Sequence, residues 1–143
     1  MLFRSNGTLV VPSGGGSEAF VDAADIAAVA AETLLNPGAH AGTRYALTGP
    51  QALTFDDVVA IIAAVSGRPL GHKDIDQEDW ISGALAAGVP PDYAVMLRWL
   101  TGAIIAGHGS TPTDDIEKVT GRAPATFRQF AERNARAWMV AAK

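Results

Sequence analysis

The side chains able to do chemistry are few and scattered in this sequence. His40, His72 and His108 stand far apart, with no H-x-x-x-H pair to suggest a zinc site. There is no cysteine, which excludes disulfides and thiolate chemistry. Ser110 follows Gly109 but lacks the second glycine of a G-x-S-x-G nucleophile elbow. Neither Tyr45 nor Tyr93 has a lysine four residues later, so no Tyr-x-x-x-Lys proton relay is present. No G-x-G-x-x-G or Walker pattern opens a helix, and the sequence therefore offers no pyrophosphate cradle of the dinucleotide type. Its one glycine-dense turn is Ser13-Gly14-Gly15-Gly16-Ser17. Three such glycines can take positive φ and admit a ligand or another backbone, but an ordinary loop is the simpler reading.

The carboxylates have a structural explanation. Asp22, Asp57, Asp76, Asp79, Asp114 and Asp115 each fall at a predicted helix start, where negative charge meets the positive end of the helix dipole. A catalytic carboxylate needs a second group set against it, and none is evident. Asp22 stands apart because it joins a strand end to a helix start, and such junctions face the ligand crevice of open α/β sheets. Trp80, Tyr93 and Trp99 are candidates to line an apolar pocket for a flat organic molecule. Against this, Trp80 and Tyr93 lie on helical core stripes, where aromatics usually pack inward. Trp99 is off its stripe and is either exposed or covered by another segment.

The elements that would position these residues alternate at first. A strand over Thr8 to Pro12 precedes the glycine turn, and Ala19 to Val21 is extended. Asp22 then caps a helix whose stripe is Ile26, Val29, Ala30, Thr33 and Leu34, ended by Asn36-Pro37-Gly38. Thr43 to Thr48 reads as a strand. Thr54 and Asp57 form a capping-box-like start for a helix burying Phe55, Val58, Ile61, Ile62 and Val65, with Gly67 at its left-handed end. Leu70 to Ile75 reads as a further strand.

From there the chain turns helical. Asp76 caps a helix carrying Trp80, Ile81, Ala84 and Leu85. Pro91 opens another with the stripe Tyr93, Met96, Leu97, Leu100, Thr101 and Ile104. Thr111-Pro112 opens a short helix through Ile116 and Val119. Thr126 and Gln129 box the last, which presents Phe127, Phe130, Ala131, Asn134, Ala135, Trp138 and Met139 on one face. Arg128, Glu132, Arg133 and Arg136 occupy its other face as a solvated surface. The pattern predicts an α/β fold with few short strands and a helical cap.

The bulk numbers agree with one folded unit over residues 1–143: 48% of residues are hydrophobic and 18% charged. A formal net charge of −4 argues against a nucleic-acid binder, which needs a basic face. No apolar run reaches the ~20 residues that span a bilayer, and Met1 to Gly7 lacks the pattern of a secretory leader. A soluble, cytoplasmic protein is expected.

Several short motifs, in order, carry a resemblance. Phe20-Val-Asp-Ala-Ala-Asp-Ile-Ala-Ala-Val-Ala30 is followed by Tyr45-Ala-Leu-Thr-Gly-Pro50, by Leu53-Thr54 and by Ser66-Gly-Arg-Pro69. Gly88-Val-Pro90, the stretch Asp115 to Pro124, Thr126-Phe127 and Phe130-Ala131 complete the series. Together they resemble the C-terminal part of NmrA-like NAD(P)-binding proteins, the atypical short-chain dehydrogenases/reductases of quinone- or azo-reductase type. The resemblance implies an incomplete Rossmann-type portion whose dinucleotide-binding N-terminal part is not in this sequence. It implies NAD(P) as the family's cofactor, bound weakly or not at all by this chain, and no metal.

The resemblance also implies a quinone-like organic substrate, with Phe20 and Asp22 near its mouth and Trp80, Met96 and Leu100 forming a lid. No catalytic residue is assigned. The alternative is a non-catalytic NmrA-like module for regulation or protein interaction. A homo-oligomer, or pairing with a separate cofactor-binding half, is expected from apolar surface left uncovered.

Overall fold

Two parallel strands organise the first half of the computed structural model, which describes residues 7–139. The leader reading of Met1 to Gly7 therefore lies outside the described residues except at Gly7. β1 (Thr8–Val10) pairs with β4 (Gly71–Lys73), placing Leu9 opposite His72. Parallel neighbours require a long crossover, and residues 11–70 supply it. Within that crossover β2 (Ser17–Glu18) pairs antiparallel with β3 (Leu53–Thr54). The expected class, α/β with few short strands and a largely helical second half, is the one observed.

α1 (Ala23–Leu35) begins at Asp22, whose carboxylate accepts from the Ala24 N–H. Its inward face differs from the predicted stripe. Val29 is buried, but Ile26 is 41% and Leu34 80% exposed. Asp25 explains the rotation: its carboxylate turns inward to accept the Ala125 N–H at 2.8 Å, while the helix packs on α6 (Asp115–Thr120). The short α2 (Pro37–His40) follows. The predicted strand over Thr43 to Thr48 forms no ladder. Side chains hold its backbone instead: Ala46 N–H donates to Asp115, and the Thr113 hydroxyl donates to the Ala46 carbonyl.

α3 (Phe55–Ser66) forms as its sequence dictates. Thr54 and Asp57 exchange the two bonds of a capping box, and Gly67 ends the helix at φ 67°. It buries Val58, Val59 and Ile62 against β4 and the C-terminal helices. α4 (Gln77–Ala86) is capped by Asp76, which accepts from Glu78 and Asp79 N–H groups. α5 (Pro91–Ile105) packs on α4 and β2 through Ala94 and Thr101. Tyr93, predicted as core, is half exposed. The polar Thr101 takes the inner position because its hydroxyl accepts the Gln77 amide at 2.7 Å.

The last predicted helix is broken. α7 (Phe127–Arg133) carries the expected Thr126–Gln129 capping box, and α8 (Ala135–Met139) follows after Asn134. The Asn134 amide donates to the Phe130 carbonyl, competing with the helix ladder at the break. Met139 is consequently exposed, whereas Trp138 still packs on Phe130 and donates to the Ala131 carbonyl.

Candidate functional site

Residues 19–22 are fixed from three sides. Ala19 N–H donates to the Gly109 carbonyl, and Gly49 N–H donates to the Ala19 carbonyl. A Cβ at Gly49 would run into the Phe20 carbonyl, so only glycine permits this approach. Phe20 is thereby set edge-on to both Phe55 and Phe127, each with ring centroids 5.7 Å away. A cavity of about 180 Å³ opens beside it, lined by Phe20, Val21 and Asp22 from early in the sequence and by Ala125, Thr126, Phe127 and Phe130 from late in it.

Asp22 is the cavity's ionisable lining group. One carboxylate oxygen caps α1, and the other pairs with the Arg133 guanidinium. Its side chain is 9% exposed against 53% for Arg133. The site thus offers aromatic walls and one neutralised carboxylate. It suits a flat apolar group, and acid–base work by Asp22 would require giving up the Arg133 pair.

A second polar cluster sits at the C-terminal ends of β1 and β4, where open parallel sheets place their ligand crevice. Trp80 Nε1–H donates to the Val10 carbonyl at 3.1 Å. His72, 2% exposed in its side chain, places Nε2 3.2 Å from the Val11 carbonyl and Nδ1 3.3 Å from Asp56. The Asp74 carboxylate accepts Ser13 N–H at 2.8 Å and also receives Gly14 N–H. Burial works to raise this carboxyl, but the Ser13 and Gly14 donors, His72 and the Ile75 N–H outweigh it and hold it below the usual range.

These contacts decide how the glycine-dense turn is used. Gly16 lies so close to the Ile104 carbonyl that a Cβ would collide with it, while Gly15 meets nothing. The turn leads into β2 and not into a helix, and the Asp74 carboxylate occupies donors that a phosphate would need. That turn therefore does not fit a pyrophosphate. No group of residues arranged to hold a metal ion occurs among the described residues either.

Phe20 and Asp22 share one cavity. Trp80 lies instead at the end of β1. Met96 and Leu100, 47% and 56% exposed, lie on the flank of α5. The wall opposite Phe20 comes from α7, whose Phe127 and Phe130 read as plain core in the sequence. The Thr126 capping box was a visible signal for that helix start. Nothing local marked Arg133 as the partner of Asp22, 111 residues away.

The fold is that of a partial Rossmann-like α/β unit. No protein-family model matches the chain. Over 138 residues it is 35% identical to the oxidoreductase YesF of Bacillus subtilis and 36% identical to an NAD(P)H azoreductase of Xenophilus azovorans. Each alignment covers 96% of this chain and 48% of the relative. The triphenylmethane reductase of Citrobacter sp., solved with NADP(H), superposes with TM-score 0.76 at 29% identity, over 90% of this chain and 44% of that one. An Escherichia coli quinone oxidoreductase shares the fold with TM-score 0.78 at 24% identity, covering 90% of this chain and 46% of its own.

The chain belongs with the NmrA-like NAD(P)-binding reductases, as the counterpart of a C-terminal portion of them. It spans about half the length of the relatives it matches. Among the described residues, no helix is long and apolar enough to cross a membrane.

Proposed function

We propose that this chain forms the substrate side of an NAD(P)-dependent oxidoreductase acting on a small, flat organic acceptor of the quinone or azo kind. The alignment of nearly the whole chain with an NAD(P)H azoreductase carries the reading. The Phe20–Asp22 cavity is the mouth of the site. Phe20, Phe127 and Phe130 supply apolar walls, and the Asp22–Arg133 pair fixes the rim. Trp80, Met96 and Leu100 do not line that cavity, and they act as a lid only if a bound acceptor draws α4 and α5 over it.

Dinucleotide binding belongs to a nucleotide-binding portion outside these residues, because the one glycine-dense turn already has its donors on Asp74. The chain alone is therefore inactive and binds NADPH weakly. Calorimetric titration of the chain with NADPH tests this, and micromolar binding would overturn it. A second measurement joins the chain to the nucleotide-binding half of a relative and follows NADPH oxidation with an added quinone or azo dye. Turnover that falls on Phe127→Ala, mainly through KM, is expected. Turnover indifferent to Phe127→Ala would move the substrate away from this cavity.

A further inference from the structure

α5 carries large apolar residues on its outer as well as its inner face, and an apolar surface of that kind seeks cover. Its inner face is buried on α4 and β2 through Ala94 and Thr101. Its outer stripe runs Val95, Trp99, Gly102, Ala103 and Ala106 at three- and four-residue spacing. Val95 is 54% and Trp99 77% exposed, so the described residues leave this stripe open. Beside Trp99 lies a groove of about 420 Å³ lined by Arg98, Trp99, Gly102, Ala103 and His108. Its floor is made of the two smallest residue types, and a Cβ added at Gly102 meets only the Gln77 amide nitrogen, at 3.6 Å. A large knob thus stands next to a hole on one stripe. That arrangement is self-complementary under a two-fold axis.

We propose that two copies of this chain pair antiparallel through α5, each Trp99 filling the groove over Gly102 and Ala103 of the other copy. The axis passes between Trp99 and Ala103. At 1.5 Å per residue, Asp92 then lies roughly 13 Å from the axis, and His108, folded back so that its N–H bonds the Ala103 carbonyl, lies at most about 10 Å on the other side, within side-chain reach. Each Asp92 carboxylate therefore comes opposite the other copy's imidazole. Arg98 adds no uncompensated charge, because Glu78 of its own chain pairs with it. Two buried indoles with Val95 and the groove rims remove on the order of 1,000 Å² from water, the lower end for a specific interface, which points to a micromolar dimer. Tyr93 and Leu100 lie on the neighbouring flank, while Met96, seven residues before Ala103, borders the contact.

Sedimentation across the micromolar range tests it. The chain should pass from monomer to dimer, and Trp99→Lys should weaken the dimer at least ~30-fold. Gly102→Leu should weaken it too, by filling the hole. Asp92→Lys and His108→Asp should each weaken it, and the double variant should recover most of the loss. Leu34→Lys, on the exposed face of α1, should leave it unchanged. Thermal melts like that of the parent establish that each variant is folded. A parent chain that stays monomeric would overturn the proposal. So would a dimer insensitive to Trp99→Lys and Gly102→Leu, one dissolved by Leu34→Lys, or a double charge variant without recovery.

Discussion

α3 and α5 are similarly apolar, and the fold treats them in opposite ways. α3 is boxed at its start by Thr54 and Asp57, stopped by Gly67, and covered by β4, α7 and α8. Val58, Val59 and Ile62 fall to between 3% and 7% exposure. α5 buries Ala94 and Thr101, while Tyr93, Val95, Met96, Trp99, Leu100 and Ile105 keep 43% to 77% of their surface in contact with solvent. Apolar periodicity identifies residues that seek cover. It does not say whether the cover lies in the same chain.

Truncation in the two helices gives the largest contrast. Ile62→Ala opens a hole in a packed core and should cost about 2–5 kcal/mol in urea unfolding. Leu100→Ala, 56% exposed in the parent chain, should change stability by less than about 0.5 kcal/mol. Equal losses would mean that the α5 flank is covered after all. The junction between the two regions comes next. Gly16→Ala pushes a Cβ against the Ile104 carbonyl, a backbone group that cannot swing aside, and should cost about 1–3 kcal/mol. Gly15→Ala has open space and bears only the left-handed backbone cost of about 1 kcal/mol at φ 73°. Gly15 proving the more sensitive would sever the turn from α5.

Local chemistry made much of this fold legible. The caps at Asp22, Thr54, Asp76 and Thr126 were readable because each is set by residues within one turn. Left-handed Gly67 was readable for the same reason. The errors arose where a distant polar partner outweighed an apolar stripe. Ala125 N–H drew Asp25 inward and turned Ile26 out, and the Gln77 bond to Thr101, itself on the predicted stripe, favours that edge of the stripe and leaves Tyr93 on the other edge exposed. Thr43 to Thr48 has strand composition, yet Thr113 and Asp115 occupy its backbone. The site was half legible. Phe20 and Asp22 stood at a recognisable strand-to-helix junction, but their wall comes from residues more than 100 positions away.

The Asp22–Arg133 pair is the thread from α1 to the α3 side of the molecule. Asp22→Ala loses a cap and an ion pair and should cost about 1–2 kcal/mol. Arg133→Ala, removing an exposed cation, should cost less than about 1 kcal/mol. Arg133 proving the costlier would show that a desolvated pair, more than the cap, holds the cavity rim.

The smallest effect is one of pH, and it touches both helices. Asp57 at the start of α3 is held below the ordinary carboxyl range by the Thr54 hydroxyl and N–H, and Asp74, which grips the turn against α5, is also lowered. A carboxyl lowered in the folded chain contributes stability above its unfolded value, about pH 4, and loses it as pH falls through the folded value. Melting temperature should therefore drop on acidification below about pH 4, and Asp57→Asn and Asp74→Asn should each flatten that limb. Both groups are solvent-exposed, so each share is small. The two variants separate the regions. Asp57→Asn should leave the α5 turn intact, whereas Asp74→Asn should speed amide exchange at Ser13 and Gly14, whose N–H groups lose their anionic acceptor. Unchanged exchange there, with an unchanged acid limb, would mean that the packing of Gly16 on Ile104 holds the turn without Asp74.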